Sequence, residues 1–249
     1  MNILKTHTVA SERPDTYFVY WSNNGLRVRG ALKVRITARI EDKHIAAELA
    51  AMQHLLESKC VLGNTMVGSA STHLNVSLGA IRKLRNGQSD KAHLACYAKF
   101  LTTRFAACLL SVDKDTAWFA GFDPRLAEDL LVTKPAREML QMTGIGEVEV
   151  TQHVLKRFTD RFLAAAGPEK ATQSAWTKLK QIAADSSVRE VVRNSLWCAA
   201  KYMRDGRQEG RYFLNEKLNL VLVVTDNPNE GKRLVTTYPA SRQFAFRAL

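Results

Sequence analysis

Leu26-Arg27-Val28-Arg29-Gly30-Ala31-Leu32-Lys33-Val34-Arg35-Ile36-Thr37-Ala38-Arg39-Ile40 alternates apolar residues with polar ones, mostly cations. A period of two, rich in β-branched residues, is the pattern of a strand pair with one apolar and one basic face. Upstream, Tyr17-Phe18-Val19-Tyr20-Trp21 is a short apolar run. Ser22-Asn23-Asn24-Gly25 follows as a turn, because Asn and Gly tolerate positive φ. Residues 1–15 are polar and read as an N-terminal arm. Downstream the period changes. Ile45, Leu49, Met52, Leu55 and Leu56 mark a helix over 42–57, with Asp42 as its candidate N-cap. Residues 60–69 read as a short strand. Residues 73–86 and 90–106 read as helices broken at Asn86-Gly87-Gln88-Ser89, 107–112 as a strand, and 124–142 as a helix.

Met142-Thr143-Gly144-Ile145-Gly146 is the strongest boundary signal, since two glycines interrupt the pattern. It divides the chain into domains at 16–145 and 146–249. In the second, 150–166, 172–185 and 187–203 read as helices. Residues 212–214 and 218–224 read as strands, 226–231 as a hairpin loop and 233–238 as the return strand. The expected class is α+β in two domains: a mixed sheet with helices, then helices packed on an antiparallel sheet.

The 249 residues carry 36 Lys and Arg against 24 Asp and Glu, a net charge of +12. The excess is shared, with 19 basic and 13 acidic residues before position 146 and 17 and 11 from there on. A basic chain without an apolar anchor most often meets a polyanion, so RNA or single-stranded DNA is the expected partner. The competing reading is a solvated basic surface. No run approaches the ~18 apolar residues of a membrane helix, and the N-terminus lacks a secretory apolar stretch, so a cytoplasmic protein is expected. The four cysteines form no C-x-x-C pair, which argues against zinc and for reduced thiols. Phosphate-loop, dinucleotide-binding, zincin and serine-hydrolase motifs are absent. No metal or cofactor is expected. Candidate backbone-binding cations are Arg27, Arg29, Lys33 and Arg35 on the alternating stretch, and Arg82, Lys83 and Arg85 at a helix end, where cations also suit the helix dipole. Arg207 and Arg211, in the loop 204–211, could grip substrate or merely be solvated.

The order strand, strand, strand, helix, strand, helix, helix, strand over 16–112 resembles the ribonuclease H-like superfamily. Ala46-Ala47-Glu48-Leu49-Ala50-Ala51 is similar to that family's first helix, which carries a metal-binding glutamate. The resemblance implies three or four carboxylates around two Mg²⁺ ions. Here the expected first strand, Tyr20-Trp21-Ser22-Asn23, and the expected later strand, Asn64-Thr65-Met66-Val67-Gly68-Ser69, contain no acid. The half therefore reads as a degenerate member that binds without cutting. Glu48 is either a relic ligand or an ordinary surface glutamate. A Mg²⁺ nuclease using Glu48, Asp113 and Asp115 is a rival reading.

The sharpest motif is His153-Val154-Leu155-Lys156-Arg157-Phe158-Thr159-Asp160-Arg161. On a helix His153, Arg157 and Arg161 share one face. Arginine forks bind phosphate bidentately, and histidine titrates near neutrality. The stretch, followed by an apolar strand and by Val235-Thr236-Thr237-Tyr238, resembles the barnase, EndoU, colicin and RelE-like ribonuclease group found in phage and plasmid proteins. That resemblance implies a metal-independent, toxin-like endoribonuclease in which the RNA 2′-hydroxyl attacks the adjacent phosphorus. His153 would be base or acid, Arg157 and Arg161 would hold phosphate, and Thr236, Thr237 or Tyr238 would position it. The plainer alternatives are a surface histidine beside a basic helix and simple strand propensity. Two further readings stay open: an inactive RNA- or DNA-binding adaptor built from dead nuclease folds, and a phage structural component whose basic surface meets protein. An antitoxin, phage or host protein is the expected kind of protein partner.

Overall fold

The computed structural model describes residues 2–25, 27–63, 72–163, 168–193, 210–227, 231–240 and 246–248. The chain divides into two units, Met1–Ala136 and Arg137–Leu249.

The first unit is built on β1 (Asn2–Ala10), β2 (Thr16–Asn23), β3 (Val28–Ile36), α1 (Lys43–Glu57), β4 (Thr72–Val76), α2 (Gly79–Arg85), α3 (Lys99–Thr102), β5 (Leu109–Val112) and β6 (Glu128–Val132). Its six-stranded sheet has the order β5-β4-β1-β2-β3-β6. β1, β2 and β3 form an antiparallel meander. β4, β5 and β6 join in parallel, on β1, β4 and β3 respectively. The alternation in β3 works as expected on its apolar side. Leu32, Val34 and Ile36 join Leu4, Val19 and Leu74 against Leu49, Met52 and Leu55 of α1 in one buried cluster.

Several expectations for this unit are overturned. Residues 2–10 are not an arm but a strand paired on both sides. Leu4 and Thr6 turn inward and Lys5 and His7 outward, an alternation hidden by the polar residue types. The alternating stretch makes one strand, not two, and Arg27 lies outside it in a turn at φ 53°. Residues 73–76, expected to begin a helix, belong to the strand β4. Most of the strand expected at 60–69 lies outside the described residues. The helix expected over 90–106 is reduced to short turns and α3, and that over 124–142 is replaced by β6 and the first strand of the second unit. Asp42 is the N-cap residue of α1, as expected, but at φ 53° its side chain makes no capping bond, and its carboxylate instead accepts from Lys91 Nζ at 2.6 Å.

The second unit comprises β7 (Met139–Met142), β8 (Gly146–Val150), α4 (Gln152–Phe162), α5 (Pro168–Ala183), β9 (Val188–Arg193), β10 (Arg211–Asn215), β11 (Leu220–Asn227), β12 (Gly231–Pro239) and β13 (Phe246–Ala248). Its sheet has the order β13-β9-β10-β11-β12-β8-β7 and is antiparallel except where β8 joins β12. The glycines expected at a domain boundary instead turn the β7–β8 hairpin, where Gly144 and Gly146 hold positive φ. The division falls earlier, after Ala136. Residues 188–193, expected within a helix, form β9, and 194–203 lie outside the described residues. Thr151 caps α4 by accepting from the Val154 amide. Val154, Leu155 and Phe158 of α4, with Trp176 and Leu179 of α5, pack on Leu222, Val224 and Leu234 of the sheet. A smaller cluster, with Tyr212, Val221 and Val223, lies on the other sheet face.

Candidate nucleic-acid interface

In α1 the Glu48 side chain points into the first core and is fully buried, so it is not a surface glutamate. Its Oε1 accepts from Thr6 Oγ1 at 2.9 Å and from the Ser77 amide at 2.7 Å, and its Oε2 accepts from Ser77 Oγ at 2.6 Å. Burial pushes its pKa up, partly opposed by the bonds from Ser77 and Thr6. The two strands that meet Glu48 are thus β1 and the end of β4, not the ones expected, and they bring hydroxyls where a metal site needs acids. Asp113 lies at the end of β5 and accepts from Lys5 Nζ at 2.9 Å and from the Asp115 amide at 3.0 Å. Those bonds, the Asp115 amide first, hold its pKa down. The Asp115 carboxylate caps the Ala117 amide at 2.9 Å. Among the described residues no three of His, Cys, Asp and Glu are grouped to hold an ion. The residues present do not fit a two-ion centre, and the Mg²⁺ reading on Glu48, Asp113 and Asp115 fails on that donor set.

The outer face of the first sheet carries the other candidates. Strand register puts Lys5 and His7 of β1, Phe18 and Tyr20 of β2, and Arg29, Lys33 and Arg35 of β3 on the face opposite α1. Arg29 and Arg35 are exposed and Lys33 is half-buried, 3.5 Å from the exposed Asp129. The 116–122 segment lies over the middle of this face. Phe119 stacks on Tyr20 at 4.4 Å and packs against His7 at 5.0 Å. Burial lowers the His7 pKa, opposed by Asp113 and Asp115. Sequence reasoning missed both His7 and this segment, since β1 was read as an arm. Of the helix-end cluster, Arg82 and Lys83 are exposed, whereas Arg85 donates to the Ala106 carbonyl at 2.6 Å.

In the second unit α4 presents His153, Arg157 and Arg161 on its exposed side. β8 pairs β12 only as far as Leu234, so the outer edge of β12 beyond that point faces α4. There Arg157 donates to Thr236 Oγ1 at 3.2 Å, and Arg161 donates to the Thr237 carbonyl. The helix and the strand are therefore brought together. The Thr237 side chain, however, is fully buried, with Oγ1 lacking a partner. It cannot reach a bound phosphate. Tyr238 packs with the cluster on the sheet face opposite α4. Only Thr236 of the three offers its side chain to the arginines. Arg211 is engaged by Glu190 through two bonds of 2.7 and 2.5 Å, and Arg207 lies outside the described residues.

No protein-family profile matches the chain, and no curated protein matches it. Among solved structures it is similar to LC11 ribonuclease H1 in complex with an RNA/DNA hybrid, at 14% identity and a TM-score of 0.36, over 51% of this chain and 93% of that one. It is likewise similar to ribonuclease H1 of the halophilic archaeon Halobacterium salinarum, at 14% identity and a TM-score of 0.35, with the same coverage. Among the described residues no helix is long and apolar enough to cross a membrane.

Proposed function

We propose that the chain is a nucleic-acid-directed protein whose second unit carries a metal-independent RNA-cleaving centre on α4. The observation that supports this is the joining of Arg157 and Arg161 to β12 at Thr236 and Thr237. It fixes two guanidinium groups one and two turns along the helix from His153, where they can meet a phosphate beside its imidazole. His153 would move the proton of the 2′-hydroxyl or of the leaving 5′-oxygen. The arginines, with Thr236, would stabilise charge growing on the phosphate. The residual valence of each guanidinium matters here, since one bond to β12 leaves further N–H donors for a ligand.

The test is direct. The protein should bind RNA with an affinity that falls steeply with salt, as counterions are released. It should cut RNA in EDTA and leave a 2′,3′-cyclic phosphate. His153→Ala should slow cleavage by roughly 10²–10⁴ without unfolding the exposed helix face. Cleavage that requires Mg²⁺, or that ignores this substitution, refutes the centre. The second reading, a binding adaptor, is favoured by Glu48, which is sealed among hydroxyls, and predicts salt-sensitive binding with no cleavage.

A further inference from the structure

Beside the β1–β2 connection, Arg13, Pro14, Thr16, Lys33, Arg35 and Asp129 line an open cleft of about 490 Å³. Three cations face one carboxylate there, and Arg13, Arg35 and Asp129 are exposed. The register extends the pattern beyond the cleft. Thr16 stands opposite Arg35, Phe18 opposite Lys33, Tyr20 opposite Ala31 and Ser22 opposite Arg29. Cations thus run along β3 while an aromatic row runs beside them on β2. In that row Phe18 and Tyr20 lie 6.4 Å apart at an interplanar angle of 29°, and Phe119 continues the stack on Tyr20. Phe18 is the end of the row nearest the cleft, and it is half-buried rather than covered.

We infer that this face of the first sheet is a platform for single-stranded RNA, with a backbone phosphate in the Arg13–Lys33–Arg35 cleft and an unpaired base against Phe18. This rests on the reading of the chain as nucleic-acid-directed, and adds which form of nucleic acid is taken and where. The charge balance selects a polyanion. Cations two residues apart on a strand recur about every 6.7 Å, a step an extended single strand can follow. The ring beside them accepts any base whose face is free, whereas a duplex keeps its bases stacked on one another. The Phe119 ring on Tyr20 occupies the position of a second stacked base, so the platform offers one open aromatic place.

The experiment measures fluorescence anisotropy of the full-length protein with a labelled 12-nucleotide oligouridylate and, separately, a hairpin duplex of equal charge, over a salt series. The single strand should bind tighter. Arg13→Gln with Arg35→Gln should weaken it tenfold or more and reduce the salt slope by about 0.7, the value for the loss of one phosphate contact. Phe18→Ala should weaken it by about tenfold with the salt slope unchanged. Phe18→Leu, which keeps the apolar volume, should lose affinity likewise while its melting curve stays at the wild-type position. Equal or tighter binding of the duplex overturns the platform, and so does wild-type affinity in these variants. Either result leaves the RNA reading standing if Arg157→Ala still weakens binding. Absence of RNA binding at low salt overturns both.

Discussion

Burying Glu48 sets two opposed effects against each other. Desolvation favours the neutral acid, whereas the donors Thr6 and Ser77 favour the carboxylate, and desolvation is the larger. The folded-state pKa therefore lies above the unfolded one, and the native state keeps its proton over the window between them. The stabilisation this provides is complete below the ordinary value of 4.5 and is lost as pH rises through the raised native value. A glutamine fits the same partners, its oxygen accepting from Thr6 and the Ser77 amide and its amide donating to Ser77 Oγ. Glu48→Gln should therefore be at least as stable as the wild type at pH 8 in urea unfolding, with the advantage shrinking towards pH 4. Glu48→Ala strands the same donors and should cost about 1–3 kcal/mol. A Gln variant that unfolds more readily at pH 8 would mean that the fold needs the ionised group.

At the level of elements, β3 carries a constraint that its alternation does not advertise. A Cβ on Gly30 would sit 2.9–3.0 Å from three atoms of the Trp21 indole, directly across on β2. A rigid ring cannot yield by rotating its tip, so Gly30→Ala should destabilise by about 1–3 kcal/mol, read as a lowered urea midpoint with an unchanged m-value. The apolar side of β3, helix α1 and the β11–β12 hairpin were legible because their residue types and their burial agree. β1 was not, because Thr6 and Thr8 occupy inward positions and only the partner strands reveal the period. β6 and β9 were misread as helices for a related reason: Leu130 with Leu131, and Val191 with Val192, are adjacent apolar residues, and short strands of that kind carry no clean period of two. The candidate site was legible along α4, where i, i+4 and i+8 define a face whatever lies beside it. It was not legible on β12, because which of Thr236, Thr237 and Tyr238 faces the helix depends on the register and on the irregularity between Val223 and Val224.

For the whole molecule, the two main cores share no residue: one is drawn from Leu4 to Val132 and the other from Leu140 to Leu234. Unfolding should accordingly proceed in two transitions rather than one. Leu49→Ala should lower only the first unit's midpoint, and Leu222→Ala only the second's, each by about 2–5 kcal/mol. Calorimetry of the two variants checks this, and a single transition moved equally by both would refute it. The edge of β12 has a bearing on the solution behaviour of the entire chain. Past Leu234 no strand among the described residues pairs on that side, which leaves a border that another copy could extend by adding its own strand. Arg157 and Arg161 close that border with positive charge, so two copies meeting edge to edge would set like charges together. The two arginines thus make that border a poor meeting place for a second copy of the chain.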